Sequence, residues 1–149
     1  MATATQTKVV GTRTSLTTTG LSTLASATYV ASNALVLNGL NAAFELQAAT
    51  TNTPAGNKQL LAWVICSLDG TNYTSGPTSG TTATREANLG QSIALPITTA
   101  STTETTQFDV ESILGFIPYD VKIVLKNDLG VALTSGTINY SLVTPTLTY

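Results

Sequence analysis

Eight carboxylates, six basic side chains, one cysteine and no histidine are what this chain can bring to chemistry. Without histidine the commonest general base and metal ligand are missing, and with them every Ser-His and Cys-His arrangement. The acids are Glu45, Asp69, Glu86, Glu104, Asp109, Glu111, Asp120 and Asp128. Two carboxylates could divide the acid and base steps of glycoside hydrolysis, yet no spacing singles out a pair. Each acid falls where an outward strand face or a turn wants a polar residue. Asp69, Asn72 and Asp128 carry the oxygen ligands that calcium takes, but Asp-Gly and Asn-Asp are ordinary turn pairs, and turns account for all three. Cys66 has no base to activate it. Trp63 and Tyr73 could stack on a sugar. Tyr73 follows a turn and is expected to be exposed, Trp63 lies mid-strand and is expected to be packed, and lectin-type binding by the loops at 71–86 stays open. Lys122 and Lys126 share a strand face that either meets acids of a neighbour or stands in solvent. No catalytic residue, cofactor or metal site is assigned, and the expectation is a protein that is not an enzyme.

The element that must organise these residues is the run 59–68, Gln-Leu-Leu-Ala-Trp-Val-Ile-Cys-Ser-Leu. It is the longest apolar run, and it stops at the turn formers Asp69-Gly70-Thr71-Asn72. Its length, its Trp, Val and Ile, and the missing capping signature predict a buried strand rather than a helix. Leu60, Ala62, Val64, Cys66 and Leu68 then face one way, and Leu61, Trp63, Ile65 and Ser67 the other. Both faces are apolar over most of the length, so the strand needs two covers. One is the sandwich core; the other is a terminal arm, a loop or a second subunit. Leu61, Trp63 and Ile65 are expected to pack under a neighbouring chain or under the N-terminal arm.

Residues 1–25 are rich in Thr, Ser and Ala, with basic residues only at Lys8 and Arg13, and Val9 and Val10 could form a short strand. Most of this stretch reads as an extended arm lying on something else, and disorder suits the composition as well. Lys8, Val9, Val10 and Arg13 are its candidate interface residues, toward an adjacent subunit or whatever surface the arm lies on. The remainder, 26–149, reads as a single sandwich domain. Residues 26–37 predict one strand interrupted at Ser32-Asn33, followed by an Asn38-Gly39 turn. The stretch 42–50 alternates with Phe44, Leu46 and Ala48 inward. The Thr/Ser/Gly stretch after Tyr73 predicts a loop or loose hairpin extension. Residues 93–97 predict a strand that Pro96 places at a sheet edge. A strand at 105–110 leads to a single turn that plugs one end with Ile113 and Leu114. Val121, Ile123 and Leu125 face the core from the strand 121–126, with Lys122, Val124 and Lys126 outward. A turn at Asn127-Asp128-Leu129-Gly130 should make a hairpin with Val131-Ala132-Leu133. The last strand is 137–143, with a Thr-rich tail beyond Pro145. About eight short strands and no convincing helix predict an all-β, single-domain β-sandwich, jelly-roll-like.

Composition narrows the class. Charged residues are 9% and aromatics 6% of the chain, against about a quarter charged in ordinary domains. About a fifth of the chain is threonine, which is β-branched and favours strands. A net charge of −2 without a basic patch argues against nucleic acid as a partner. No apolar run approaches the roughly 20 residues that span a bilayer, and the polar N-terminus carries no secretory signal, so a soluble protein made in a cytoplasm is expected. The single cysteine excludes an intrachain disulfide, and its place in the apolar run suits a buried thiol. A surface so poor in charge risks precipitation as a free monomer and suits permanent packing in an assembly.

Three stretches carry a likeness to a known class. Leu68-Asp69-Gly70-Thr71-Asn72-Tyr73 follows an apolar strand. Ser75-Gly76-Pro77-Thr78-Ser79-Gly80-Thr81-Thr82 comes next. Val121-Lys122-Ile123-Val124-Leu125-Lys126-Asn127-Asp128-Leu129-Gly130-Val131-Ala132-Leu133 comes later. Together, over roughly 25–143, the chain resembles small virion structural proteins of tailed bacteriophages, of the capsid decoration or cement type. A strand followed by such a turn occurs also in tail and fibre proteins. The resemblance implies a jelly-roll-like fold, homo-oligomerisation (often as a trimer), binding to the major capsid protein and a place on the capsid surface of a virion assembled in the host cytoplasm. The alternative is a tail- or fibre-associated module that binds host-surface carbohydrate.

Overall fold

The computed structural model describes residues 4–148; Met1, Ala2 and Thr3 of the expected arm and Tyr149 lie outside them. Among the described residues ten strands form two five-stranded antiparallel sheets packed face to face. They are β1 (Thr5–Val10), β2 (Thr14–Leu16), β3 (Tyr29–Ala31), β4 (Leu35–Val36), β5 (Asn41–Ala49), β6 (Gln59–Ser67), β7 (Ser92–Pro96), β8 (Glu104–Asp109), β9 (Asp120–Asp128) and β10 (Ser135–Thr148). One sheet runs β1-β10-β5-β8, with β2 also on β10; the other runs β3-β9-β6-β7, with β4 also on β9. β6 and β7 pair within one sheet, but the steps β5 to β6, β7 to β8, β8 to β9 and β9 to β10 pass from one sheet to the other, so those connections cross the ends of the sandwich, as in a jelly roll. The all-β sandwich is therefore the fold.

The core lies between the sheets. Ala42, Phe44, Leu46 and Ala48 from β5 meet Leu60, Ala62 and Val64 from β6 and Val121, Ile123 and Leu125 from β9. Each set alternates along its strand, which is how a period of two fills one face. Phe108 on β8 stacks on Phe44 with ring centroids 5.5 Å apart. A short helix α1, Val110–Leu114, closes one end. Asp109 caps it by accepting from the Ser112 amide at 3.0 Å, as an N-cap aspartate does. Val110 is the fully buried residue of the plug; Ile113 and Leu114 pack partly buried against the core.

Three expectations need correction. Residues 131–133 form no hairpin with β9. Because β9 belongs to one sheet and β10 to the other, 129–134 is a crossing connection, and Leu129 and Leu133 fill the core. Asn127 is a buried strand residue whose side chain also shapes the bend that follows. Its amide donates to Leu24 O and to Val131 O, both at 2.8 Å, and its carbonyl accepts from the Leu129 amide at 2.9 Å. Residues 14–24 of the expected arm belong to the sandwich, because β2 pairs with β10 and Leu16, Leu21 and Leu24 are buried in the core. Likewise the tail beyond Pro145 continues β10 and pairs with β1.

Asn127→Ala should leave Val131 O and the Leu129 amide buried without that partner. Each such group costs about 1–3 kcal/mol, so a loss of about 2–3 kcal/mol is expected by urea denaturation followed through Trp63 emission.

Candidate interaction surface

The outward face of the β3-β9-β6-β7 sheet is dry. Trp63, Ile65, Val124, Tyr29 and Leu89 form a second buried cluster, with Leu61, Ala31 and Tyr73 packed against it. Trp63 and Ile65 are 3% and 2% exposed, so neither is available to a neighbouring chain. Their expected cover, a neighbour or the N-terminal arm, is replaced by the chain's own segment 69–90. Val124 faces outward as expected and is buried beneath the same segment. Leu61 is half-buried at the margin of the cluster.

The segment is fastened at both margins of the sheet. Tyr73 bridges to Ser67 on β6, and Gly80 bridges to Tyr29 on β3, whose amide donates to Gly80 O at 2.8 Å. It therefore crosses the sheet and returns through a 3-10 turn, Glu86–Leu89. Gly76 lets it close, since a Cβ there would stand 2.3 Å from Leu89 Cδ2. Glu86 is the polar clip. It accepts from the Tyr29 hydroxyl and pairs with Lys126 Nζ at 3.0 Å, partly shielded from water. Lys122 Nζ sits 4.1 Å from the centre of the Tyr73 ring, a cation–π distance. Lys122 and Lys126 thus meet groups of their own chain.

The turn that begins the segment is built on Asp69. Amides of Thr71 and Asn72 donate to its Oδ1 at 2.9 and 2.8 Å, and the Ser67 hydroxyl and the Asn72 amide group add two more bonds. Those donors, the Asn72 amide first, hold the Asp69 carboxyl well below the usual carboxylate range. Asp128 lies at the opposite end of the β6-β9 ladder, opposite Gln59, and accepts from Asn57. Asp69, Asn72 and Asp128 therefore do not converge on one ion. Asp120, 3% exposed, lies opposite Ser67, and its Oδ1 has no hydrogen-bond partner among the described residues. Burial, and then the nearby Asp120 carboxylate, push the Tyr73 phenol up to about 12. Beside this turn Leu68, Phe116 and Tyr119 are exposed apolar side chains. A depression of about 420 Å³ lies there, lined by Cys66, Leu68, Asp69, Asn72, Tyr73 and Phe116 among others.

The other candidates, Lys8, Val9, Val10 and Arg13, stand far from Trp63 in the topology, on the opposite sheet. β1 pairs with the last six residues of β10, from Val10↔Val143 to Thr5↔Thr148. β5 reaches only to Val143 on the other side. The two ends of the chain thus make a two-stranded ribbon that runs past the sandwich. Its residues from Thr5 to Val10 and from Thr144 to Thr148 are exposed throughout. At its root a bulge between Val10 and Thr14 holds one more residue than the facing stretch of β10, which re-aims the strand. Gly11 suits the close approach there, since a Cβ would lie 3.0 Å from Leu142 O. Lys8 pairs with Glu111 at 3.0 Å, and Arg13 with Glu45. Arg13, Val10, Ala43, Glu45, Gln107 and Tyr140 are among the residues around a shallow depression of about 290 Å³ on that sheet's outer side.

Sequence reasoning missed the C-terminal half of the ribbon and the exposed corner at Phe116 and Tyr119. The two valines pointed to β1, but nothing local marks 144–148 as its partner. Leu89 was findable, being the only leucine in an otherwise polar stretch.

Leu89→Ala should cost about 2–5 kcal/mol, the range of a buried leucine truncation. Glu86→Ala should cost about 1 kcal/mol, since partly exposed pairs contribute little. Both should make Trp63 emission more accessible to acrylamide, Leu89→Ala the more strongly. Comparison with protein-family models, curated proteins and solved structures finds no match for this chain.

Proposed function

We propose that the chain is a non-enzymatic structural protein of a virus particle, a decoration or cement protein that binds the major capsid protein and ties the head lattice together. The observation that carries this reading is the ribbon of the two termini. Val9, Val10 and Leu147 on it are 51%, 63% and 57% exposed, and beyond Val143 the ribbon has no pairing with β5. A two-stranded ribbon alone is marginal in water, so this one gains from a surface that receives it. The jelly-roll body and a surface with few charges support the same reading, because lattice contacts are numerous and individually weak. The stretches that resemble decoration proteins, 68–82 and 121–133, supply the segment over Trp63 and the strand β9 with its crossing. On this reading the partners are the capsid lattice and further copies of the chain, and the place is the capsid surface.

A second reading has one observation in its favour. The exposed corner of Leu68, Phe116 and Tyr119 beside Asp69 and Asn72 joins apolar rings to polar groups, as a carbohydrate site of a tail or fibre module would. The two readings differ in number. Quantitative mass spectrometry of purified particles, against the major capsid protein, is expected to give hundreds of copies at a simple ratio. A few copies to a few tens would favour the tail or fibre reading, and absence from the particle would overturn both.

A further inference from the structure

The geometry points to the free edge of β1 as a contact between two copies of this chain, made by antiparallel pairing of β1 with β1 around Thr7. The ribbon has two edges, and they differ in chemistry. In an antiparallel ladder, opposed residues alternate between exchanging hydrogen bonds and pointing those groups away. The Gly11 amide donates to Leu142 O at 2.9 Å, and Gly11 continues the register in which Val10 faces Val143. The residues that bond β10 are therefore Val9, Thr7 and Thr5. Val10, Lys8 and Gln6 point their N–H and C=O groups to the other side, as does Ala4 where the strand continues. Among the described residues no strand lies there. On the far edge of the ribbon the corresponding position of β10 is Pro145, which faces Lys8. Its missing N–H would have pointed outward, so proline closes that edge to a further strand. Proline blocks one edge; the other has no proline, and its one charge, Lys8, is held by Glu111 of its own chain.

Self-pairing of the open edge is constrained to few registers, because outward-pointing residues must face each other. With Lys8 opposite Lys8, two like charges stand together and Ala4 is left over. With Gln6 opposite Gln6, Val10 is left over. With Thr7 opposite Thr7, all four outward residues are used: Gln6 faces Lys8 of the second copy, and Ala4 faces Val10. No like charges are opposed, Thr7 meets Thr7 across the two-fold axis, and Thr5 meets Val9. Lys8 is already paired with Glu111 of its own chain at 3.0 Å, so the contact does not have to neutralise it. The symmetry is two-fold, and it continues the β1-β10-β5-β8 sheet from one chain into the next. The contact is short and gains most at the high local concentration of an assembly.

This deepens the assembly reading and rests on it for its setting, but its test needs only the purified chain. In a Cys66→Ser background, Thr7→Cys should give a disulfide-linked dimer on mild oxidation. Opposed residues that point their groups away sit about 4.5 Å apart at Cα, within disulfide reach. Thr5→Cys alone should not cross-link, and a mixture of Thr5→Cys with Val9→Cys should. Gln6→Pro, which removes an outward N–H without touching the bonds to β10, should suppress the Thr7→Cys dimer while Trp63 emission stays unchanged. Thr7→Cys that remains monomeric, or Thr5→Cys that links to itself as readily, overturns the pairing. Copies per particle are unaffected by that result, so failure of the pairing and failure of the capsid reading are told apart.

Discussion

Strand β6 carries apolar side chains on both faces, and water has to be kept off both. The inner face is met within the sandwich by β5 of the facing sheet. The outer face is met by 69–90, a segment with the composition of a loop that nonetheless places Tyr73 and Leu89 over Trp63 and Ile65. Full burial of a residue such as Ile65 is worth about 1.5–3 kcal/mol, whereas the Glu86 clip to Tyr29 and Lys126 is partly exposed and worth less. Apolar burial therefore holds the segment down, and the clip sets where it lies. Opening the segment would expose much of the cluster at once, which ties the local order of 69–90 to the stability of the sheet beneath it.

That internal solution changes which surface is left for partners. With the outer face of one sheet already covered, the apolar strand at the centre does not recruit a neighbour. The contact surfaces that remain belong to the other sheet and to the ends. The bulge at Gly11 redirects the chain so that β1 continues past the sandwich, and β10 runs on beside it. An asymmetric ribbon results, with proline on one edge and free backbone groups on the other. Edge strands left open in this way pair with other chains unless blocked, and here one edge alone is blocked.

Much of the sandwich was legible because its strands alternate. Phe44, Leu46 and Ala48, then Leu60, Ala62 and Val64, then Val121, Ile123 and Leu125 all face the core as the period of two requires. The double cover of β6 was legible too, since Leu61, Trp63 and Ile65 could not be left in water. What covered it was not, because the cover is one leucine and one tyrosine in a stretch otherwise made of Thr, Ser and Gly. Val124 was placed on its correct, outward face, but its alternation with lysines marks a face and not what lies on that face. The β1–β10 ribbon was half legible. Val9 and Val10 suggested a strand, but its partner stands at the other end of the chain, and Thr-rich sequence around Pro145 carries no periodic signal. Asn127 and Leu129 resembled a hairpin turn locally, yet the two sheets demanded a crossing, and the buried amide of Asn127 serves that crossing.

The chain covers both faces of β6 with its own residues, and on the assembly reading its terminal ribbon is completed by a partner. Amide hydrogen exchange, read in the dilute chain and again in assembled particles, separates the two regions. Slow exchange is expected in Gln59–Ser67 in both states, and exchange in Thr5–Val10 that is fast in the dilute chain and slow once assembled. Protection of Thr5–Val10 in the dilute chain equal to that of β6, or no gain of protection on assembly, would contradict that reading.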